Sequence, residues 1–166
     1  LDVSQLQVMD PLKSGSHFDI CESMRRVLIS MEKKITDRHL DVDADIPEEP
    51  ILVRGDNDMI TQVIYNLLEN ATKFAREGTT LYLGVTTIDG KARVTVRNLG
   101  DTIPAEELPL LFERFHKSDK SRSEDKDGVG LGLYIVKTIL EQHKEKINVT
   151  SENGVTTFAF SLSMDA

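Results

Sequence analysis

Gln62-Val63-Ile64-Tyr65-Asn66-Leu67-Leu68-Glu69-Asn70-Ala71-Thr72-Lys73-Phe74 reads as part of a helix laid against a core. Ile60, Val63, Ile64, Leu67, Leu68 and Ala71 recur at intervals of three and four residues, the period of an α-helix with one buried stripe. Asp56 or Asn57 supplies its start, because a short polar side chain can cap the first unpaired N–H groups. Asn66, Asn70 and Lys73 are spaced by four and three and so share a second stripe beside the apolar one. Amides are mediocre helix formers and contribute little to folding at such an edge. Two readings of the stripe stand. It is a solvated face, or its amide oxygens ligate a hard cation while Lys73 meets a phosphate. Mg²⁺ suits a sparse oxygen site because it keeps several waters and takes substrate phosphates as further ligands. Glu69 is next to Asn70 in sequence but lies about 100° away around the helix, and is expected to be solvated.

Upstream, Met24, Val27, Leu28, Met31 and Ile35 predict one helix from Cys21 to Ile35 with Asp19 as its N-cap. His39 to Asp45 alternates (Leu40, Val42, Ala44) like a half-buried strand, and Ile51-Leu52-Val53 makes a short one after the turn marked by Pro47 and Pro50. Downstream, Thr79–Thr87 and Lys91–Arg97 are β-branched and alternating around Asp89-Gly90, a strong hairpin signal. Beyond Ile103-Pro104 periodicity fades until Gly128-Val129-Gly130-Leu131-Gly132-Leu133, which opens a third helix running to about Gln142. Lys146–Ser151 and Val155–Ser163 are expected to close the chain as strands turning at Asn153-Gly154. Helix, two strands, helix, two strands, loop, helix, two strands predicts an α+β, two-layer sandwich, with about three helices on one face of a mixed sheet.

The 166 residues suffice for one domain with its own core. Lys plus Arg number 20 against 28 Asp plus Glu, and the net charge of −8 argues against a broad nucleic-acid face or a polybasic membrane anchor. The lone Cys21 excludes an internal disulfide and a thiolate zinc site, and fits a reducing compartment. No uncharged apolar run approaches the roughly 18 residues of a spanning helix; Val129–Leu140 is interrupted by Lys137. Leu1-Asp2-Val3-Ser4-Gln5 has no basic n-region, so no signal peptide is expected, and the start reads as a cut inside a longer protein.

Two further segments are ambiguous singly. Glycines at 128, 130 and 132 precede Leu133, where a dinucleotide fingerprint would place glycine, and no P-loop sequence occurs. The run is a flexible linker, or it presents free N–H groups and a positive helix end to an anion. Asn98-Leu99-Gly100-Asp101-Thr102-Ile103-Pro104 by itself is a turn at a strand end.

Together these segments resemble the catalytic and ATP-binding domain of sensor histidine kinases, of the family shared with gyrase, the heat-shock 90 chaperone and MutL. Gln62–Phe74 is similar to its N box, Val96–Pro104 to its first glycine box, Leu111-Phe112-Glu113-Arg114-Phe115 to its F box and Gly128–Leu133 to its second glycine box. They occur in family order within about Phe18 to Leu162, and Lys117-Ser118-Asp119-Lys120-Ser121-Arg122-Ser123 is similar to the ATP lid. The resemblance implies a Bergerat ATP-binding fold with a mostly antiparallel sheet, and ATP and Mg²⁺ as cofactors. It implies that Asn70, with Asn66, holds Mg²⁺ and that Lys73 contacts the phosphates, making these three the catalytic set. Asn98, Gly100, Thr102, Ile103 and Thr157 would lie along the nucleotide, and Phe115, Lys117 and Arg122 would belong to the lid. Gly128, Val129, Gly130, Leu131, Gly132 and Leu133 would hinge that lid and bring backbone amides to the phosphates. Phe112 and Phe115 are expected to pack the lid's base, which carries five basic against three acidic residues between Arg114 and Lys126.

Departures from the family pattern are informative. Hydrolysing relatives have glutamate where Asn66 stands, and an amide cannot act as a general base, so phosphotransfer rather than efficient hydrolysis is implied. Asn98 replaces the family's aspartate; an amide can accept from adenine or turn over and donate to a carbonyl, which predicts weaker discrimination against GTP. Thr102 replaces a glycine, and the last glycine motif around Asn153–Thr157 lacks one. None of His17, His39, His116 and His143 is followed by Glu or Asp, so each is expected to be a surface or packing residue. The phosphoacceptor histidine would sit on a dimerisation domain whose tail residues 1–10 resemble, with 11–166 as the ATP-binding domain. Implied partners are that domain and a response regulator receiver domain, in a homodimeric, membrane-anchored bacterial parent. The domain itself would be cytoplasmic, with no nucleic-acid polymer and no membrane contact. Two alternatives remain: an anti-sigma-type serine kinase, which the F box, lid and N-terminal stub disfavour, and a nucleotide-deficient regulatory module, motivated by Asn98 and Thr102.

Overall fold

The structure, a computed structural model, describes residues 10–12, 16–113 and 131–165. In chain order its elements are β1 (His17–Asp19), α1 (Ile20–Ser30), α2 (Glu32–Asp37), β2 (Asp41–Asp45), β3 (Leu52–Arg54), α3 (Asn57–Phe74), β4 (Thr80–Ile88), β5 (Lys91–Leu99), α4 (Gly132–Gln142), β6 (Asn148–Glu152) and β7 (Val155–Ser163). A 3-10 turn at Leu108–Leu110 follows β5.

Two tight turns organise the main sheet. Asp89 (φ 51°) with Gly90 (φ 76°), and Asn153 (φ 51°) with Gly154 (φ 79°), place both central residues in the left-handed region, the twist that suits antiparallel hairpins. The sheet order is β2-β4-β5-β7-β6. Only β2 on β4 is parallel; the other three ladders are antiparallel. Leu81, Leu83 and Val85 of β4, Val94 and Val96 of β5, and Phe158, Phe160 and Leu162 of β7 alternate into one core face. Against them pack Ile60, Val63, Ile64, Leu67 and Leu68 of α3 and Val136, Ile139 and Leu140 of α4, all fully buried. Each such side chain contributes about 1.5–3 kcal/mol through burial. This is the expected two-layer α+β sandwich.

Several local expectations change. The helix predicted over Cys21–Ile35 breaks at Met31 (φ −96°, ψ −1°) into α1 and α2. There the Ser30 hydroxyl donates to the Val27 carbonyl at 2.7 Å, a local bond that competes with the helical ladder. The Asp19 cap forms as expected, accepting from Cys21 N–H at 3.0 Å, and it also accepts from Ile51 N–H at 3.1 Å. The strand expected to be half-buried, β2, is exposed throughout. It is the sheet's edge, and Val42 is 41% exposed because the helical layer stops short of it. β3 leaves the main sheet and pairs antiparallel with β1, a strand with no clear sequence signal, and Val53 also bridges to Met164. Residues 1–9 of the expected helical stub lie outside the described residues. Among the described residues no helix is long and apolar enough to cross a membrane.

Candidate functional site

α3 begins at the Asp56 cap, whose side chain accepts from Met59 N–H at 2.9 Å. Its other end is held against β5. Ala75 leaves the helix in an extended conformation and bridges to Gly100, while Arg76 N–H donates to the Leu99 carbonyl at 2.7 Å. A Cβ on Gly100 would stand 2.6 Å from the Phe74 carbonyl oxygen, so only glycine allows this junction. On its other flank α3 meets the start of α4: the Asn66 amide donates from Nδ2 to the Gly132 carbonyl at 3.1 Å. The C-terminal half of α3, with its polar stripe, therefore lies between the end of β5 and the first turn of α4.

Asn98 is 4% exposed and lies on the core face of β5. Its cross-strand neighbour is Thr156, whose own neighbour on β6 is Ser151. The three form a buried polar row across the ends of three strands. The Ser151 and Thr156 hydroxyls bond each other at 2.8 Å, and Ser151 Oγ accepts Ile103 N–H at 2.8 Å. The Asn98 carboxamide has no hydrogen-bonding partner among the described residues. The residue is largely buried, yet its carboxamide atoms still reach the surface at the strand end, where they are open to a ligand. Its Nδ2 lies 3.6 Å from where a Gly100 Cβ would be. Thr102 is engaged elsewhere: its hydroxyl accepts Gly154 N–H at 2.7 Å, and Gly100 N–H returns a bond to the Gly154 carbonyl at 2.8 Å. These bonds tie the loop after β5 to the β6–β7 turn.

Thr157 is a correction. It pairs with Arg97 across β5 and β7, and its Oγ1 accepts Arg97 Nε–H at 3.1 Å on the sheet face away from α3. Strand alternation puts Thr156, not Thr157, beside Asn98. The buried series Thr156, Phe158, Phe160, Leu162 carried that signal.

Along α3, Asn66 is committed on both sides of its amide. Beyond the bond to Gly132, its Oδ1 accepts from Gln62 Nε2 at 2.7 Å. Asn70 is half-buried, and no bond to another described residue engages its side chain. Lys73 Nζ sits 5.5 Å from the centre of the Phe74 ring. Glu69 is not simply solvated. Its Oε2 pairs with Lys34 Nζ at 2.6 Å and accepts from the Tyr65 hydroxyl at 3.2 Å, joining α2 to α3. The bond to Glu69, then that to Tyr65, raises the Lys34 pKa. The pair is half exposed, so its contribution is at most about 1 kcal/mol.

α4 has no side-chain N-cap and no acidic residue in its first turn. Its first N–H groups lack intrahelical partners, and the helix dipole is positive there. Among the described residues, a Cβ on Gly132 would meet nothing within 4 Å. Of the glycine-run residues, Leu131, Gly132 and Leu133 are brought to the site, and Leu133 also packs on the core. Gly128, Val129, Gly130, Phe115, Lys117 and Arg122 lie outside the described residues. Phe112 packs as expected, edge-on to Phe158 with ring centres 6.1 Å apart. Among the described residues no group of three or more His, Cys, Asp or Glu could hold a metal.

Three of the four histidines lie among the described residues, and each contacts other parts of the fold. His17 pairs with Asp165 at 3.2 Å, and His39 faces Glu77 at 3.5 Å. His143 is buried, its Nδ1 bonded to the Ile139 carbonyl at 2.9 Å, and its Nε2 accepts Asp56 N–H at 3.1 Å. Burial pushes its pKa below the usual 6.5. His116 lies outside the described residues.

Residues 55–166 match the family model described as histidine kinase-, DNA gyrase B- and HSP90-like ATPase. Over 110 residues the chain is 41% identical to the sensor histidine kinase CusS of Escherichia coli O6:H1, an alignment that covers 66% of this chain and 23% of that one. The fold superposes on the catalytic domain of histidine kinase ThkA with a TM-score of 0.79 at 26% identity, covering 89% of this chain and 94% of that one. It also matches histidine kinase ThkA in complex with response regulator protein TrrA, with a TM-score of 0.74 at 27% identity over 90% of this chain and 42% of that one. The chain spans about a quarter of the length of the curated relatives it matches.

Proposed function

The chain belongs to the histidine kinase-, DNA gyrase B- and HSP90-like ATPase family, and on that premise we propose that it is the part of a sensor histidine kinase that binds Mg-ATP and presents its γ-phosphate to a histidine on a separate dimerisation domain. The observation that carries the reading is Asn98, largely buried at the end of β5 with a carboxamide that no other described residue engages, next to the helix that bears Asn66, Asn70 and Lys73. Asn98 reads the base edge. The uncapped first turn of α4 receives phosphate oxygens, and Lys73 adds positive charge.

The donor set fits Mg²⁺. The stripe offers amide oxygen without thiolate or imidazole, and the Asn70 carboxamide is uncommitted among the described residues. Asn70 would hold the ion, with Asn66 as support. When bound, the ion neutralises charge on the phosphate oxygens, as transfer requires.

The same stripe lacks a general base. Asn66 cannot take a proton, and Glu69 is turned toward Lys34 and Tyr65. Water is therefore poorly activated, and the acceptor is a nucleophile brought from outside. A histidine nitrogen attacks the γ-phosphorus and the bond to the β–γ bridging oxygen breaks, leaving ADP. Phe115, Lys117 and Arg122 close over the phosphates in this scheme, and Gly128, Val129 and Gly130 hinge them. The complex of histidine kinase ThkA with response regulator protein TrrA supports a response regulator as the next acceptor, and the scheme takes the parent as a homodimeric, membrane-anchored kinase with this domain in the cytoplasm.

Isothermal titration of the chain with ADP, with and without Mg²⁺, tests the site. Saturable, Mg²⁺-enhanced binding is expected; no binding at millimolar nucleotide would leave a regulatory module without nucleotide. Joining the chain to its dimerisation domain and finding acid-labile, base-stable phosphate on histidine after incubation with ATP tests the transfer.

A further inference from the structure

Gln62 precedes the asparagine stripe by one helical turn and has no part in the scheme above. Its Nε2 donates to Asn66 Oδ1 at 2.7 Å, and Asn66 Nδ2 donates to the Gly132 carbonyl at 3.1 Å. A carboxamide has two faces of opposite character, and turning it over would aim Oδ1 at the Gly132 oxygen. The Gly132 carbonyl can only accept, so it fixes Nδ2 toward α4 and leaves Oδ1 for the Nε2 donor of Gln62. A chain of two bonds, each polarising the other, thus runs from the α3 surface to the first residue of α4. Among the described residues that first turn has no side-chain cap and nothing within 4 Å of a Cβ on Gly132.

We propose that Gln62 is a positioning residue: by bonding the Asn66 amide from the side opposite Gly132, it steadies that amide and so holds the N-terminal turn of α4 where its N–H groups receive the nucleotide phosphates. This rests on the function proposed above. Asn66 then acts chiefly as a strut between α3 and α4, and Asn70 is left as the principal amide for the cation.

The test measures ADP and adenosine affinities by amide chemical-shift titration, in the presence of Mg²⁺, for the unaltered chain and for Gln62→Leu, Gln62→Glu and Gln62→Lys. Lysine can still donate to Asn66 Oδ1 one turn away, whereas leucine and glutamate cannot. The expected result is a loss of ADP affinity of about tenfold for Gln62→Leu and Gln62→Glu, and of less than about twofold for Gln62→Lys, with adenosine affinity unchanged. In EDTA, where any support of the cation drops out, Asn66→Ala and Gln62→Leu together should cost less ADP affinity than the two single losses summed, because both act through one strut. Equal loss for ADP and adenosine would show a general structural defect and overturn the proposal, as would unchanged ADP affinity in Gln62→Leu. Failure of the unaltered chain to bind ADP would overturn the proposed function itself, and this positioning role with it.

Discussion

The two ends of α4 are built in opposite ways. At the C-terminal end His143 is buried between the Ile139 carbonyl and the Asp56 N–H, and a Cβ on Gly55 would come within 2.7 Å of its ring. At the N-terminal end, among the described residues, nothing stands within 4 Å of a Cβ on Gly132 and no side chain caps the turn, while the Asn66 amide ties it to α3. One end has its polar groups satisfied inside the protein. The other leaves donors for something else. A helix anchored at its far end can present unsatisfied N–H groups to a ligand without losing its place in the core, since Val136, Ile139 and Leu140 remain fully buried.

Substitutions at the two ends should therefore separate stability from binding. The largest effect is expected from Gly55→Ala, where φ is 147° and the new methyl collides with His143. A loss of about 3 kcal/mol in urea unfolding is expected, and an unchanged midpoint would mean that the locked end is not locked. Next, Asn70→Ala should weaken Mg-ADP about tenfold while leaving affinity in EDTA and the unfolding midpoint unchanged.

His143 gives the third test. Its folded pKa lies below 6.5, so the unfolded chain binds the proton more readily. The stability it contributes is complete above pH 6.5 and is lost as pH falls below that value, with a slope of up to about 1.4 kcal/mol per pH unit. His143→Gln should remove that slope between pH 6.5 and 5; a slope that persists there would assign it to other groups. The smallest effect is expected at the open end. Gly132→Ala should leave the unfolding midpoint unchanged or slightly higher, yet weaken ADP by about threefold, or about 0.7 kcal/mol. A fall in stability there would erase the contrast between the two ends.

Much of this was legible in local sequence. The α3 stripe, the Asp19 and Asp56 caps and the two left-handed turns all formed where short-range pattern placed them. The family's boxes, met in order, also anticipated which helix and strand end would be neighbours. Other features depended on partners far along the chain. Lys34 turned Glu69 from a solvated side chain into an ion pair across 35 positions, and Gly100 is required by the Phe74 carbonyl rather than by its own conformation. The edge position of β2 and the departure of β3 into a ladder with β1 follow from pairing choices that alternation does not encode.

By itself, the sequence determined the helix that bears the asparagines, the hairpins and the order of the motifs, because helical period, caps and turn chemistry act over a few residues. Only the tertiary structure decided that Thr156 rather than Thr157 stands beside Asn98, that no other described residue engages the Asn98 carboxamide, and that Gln62 and Asn66 brace the start of α4. The physical reason is that a side chain's face and partners are set by what packs against it, and those neighbours come from strands and helices dozens of residues away.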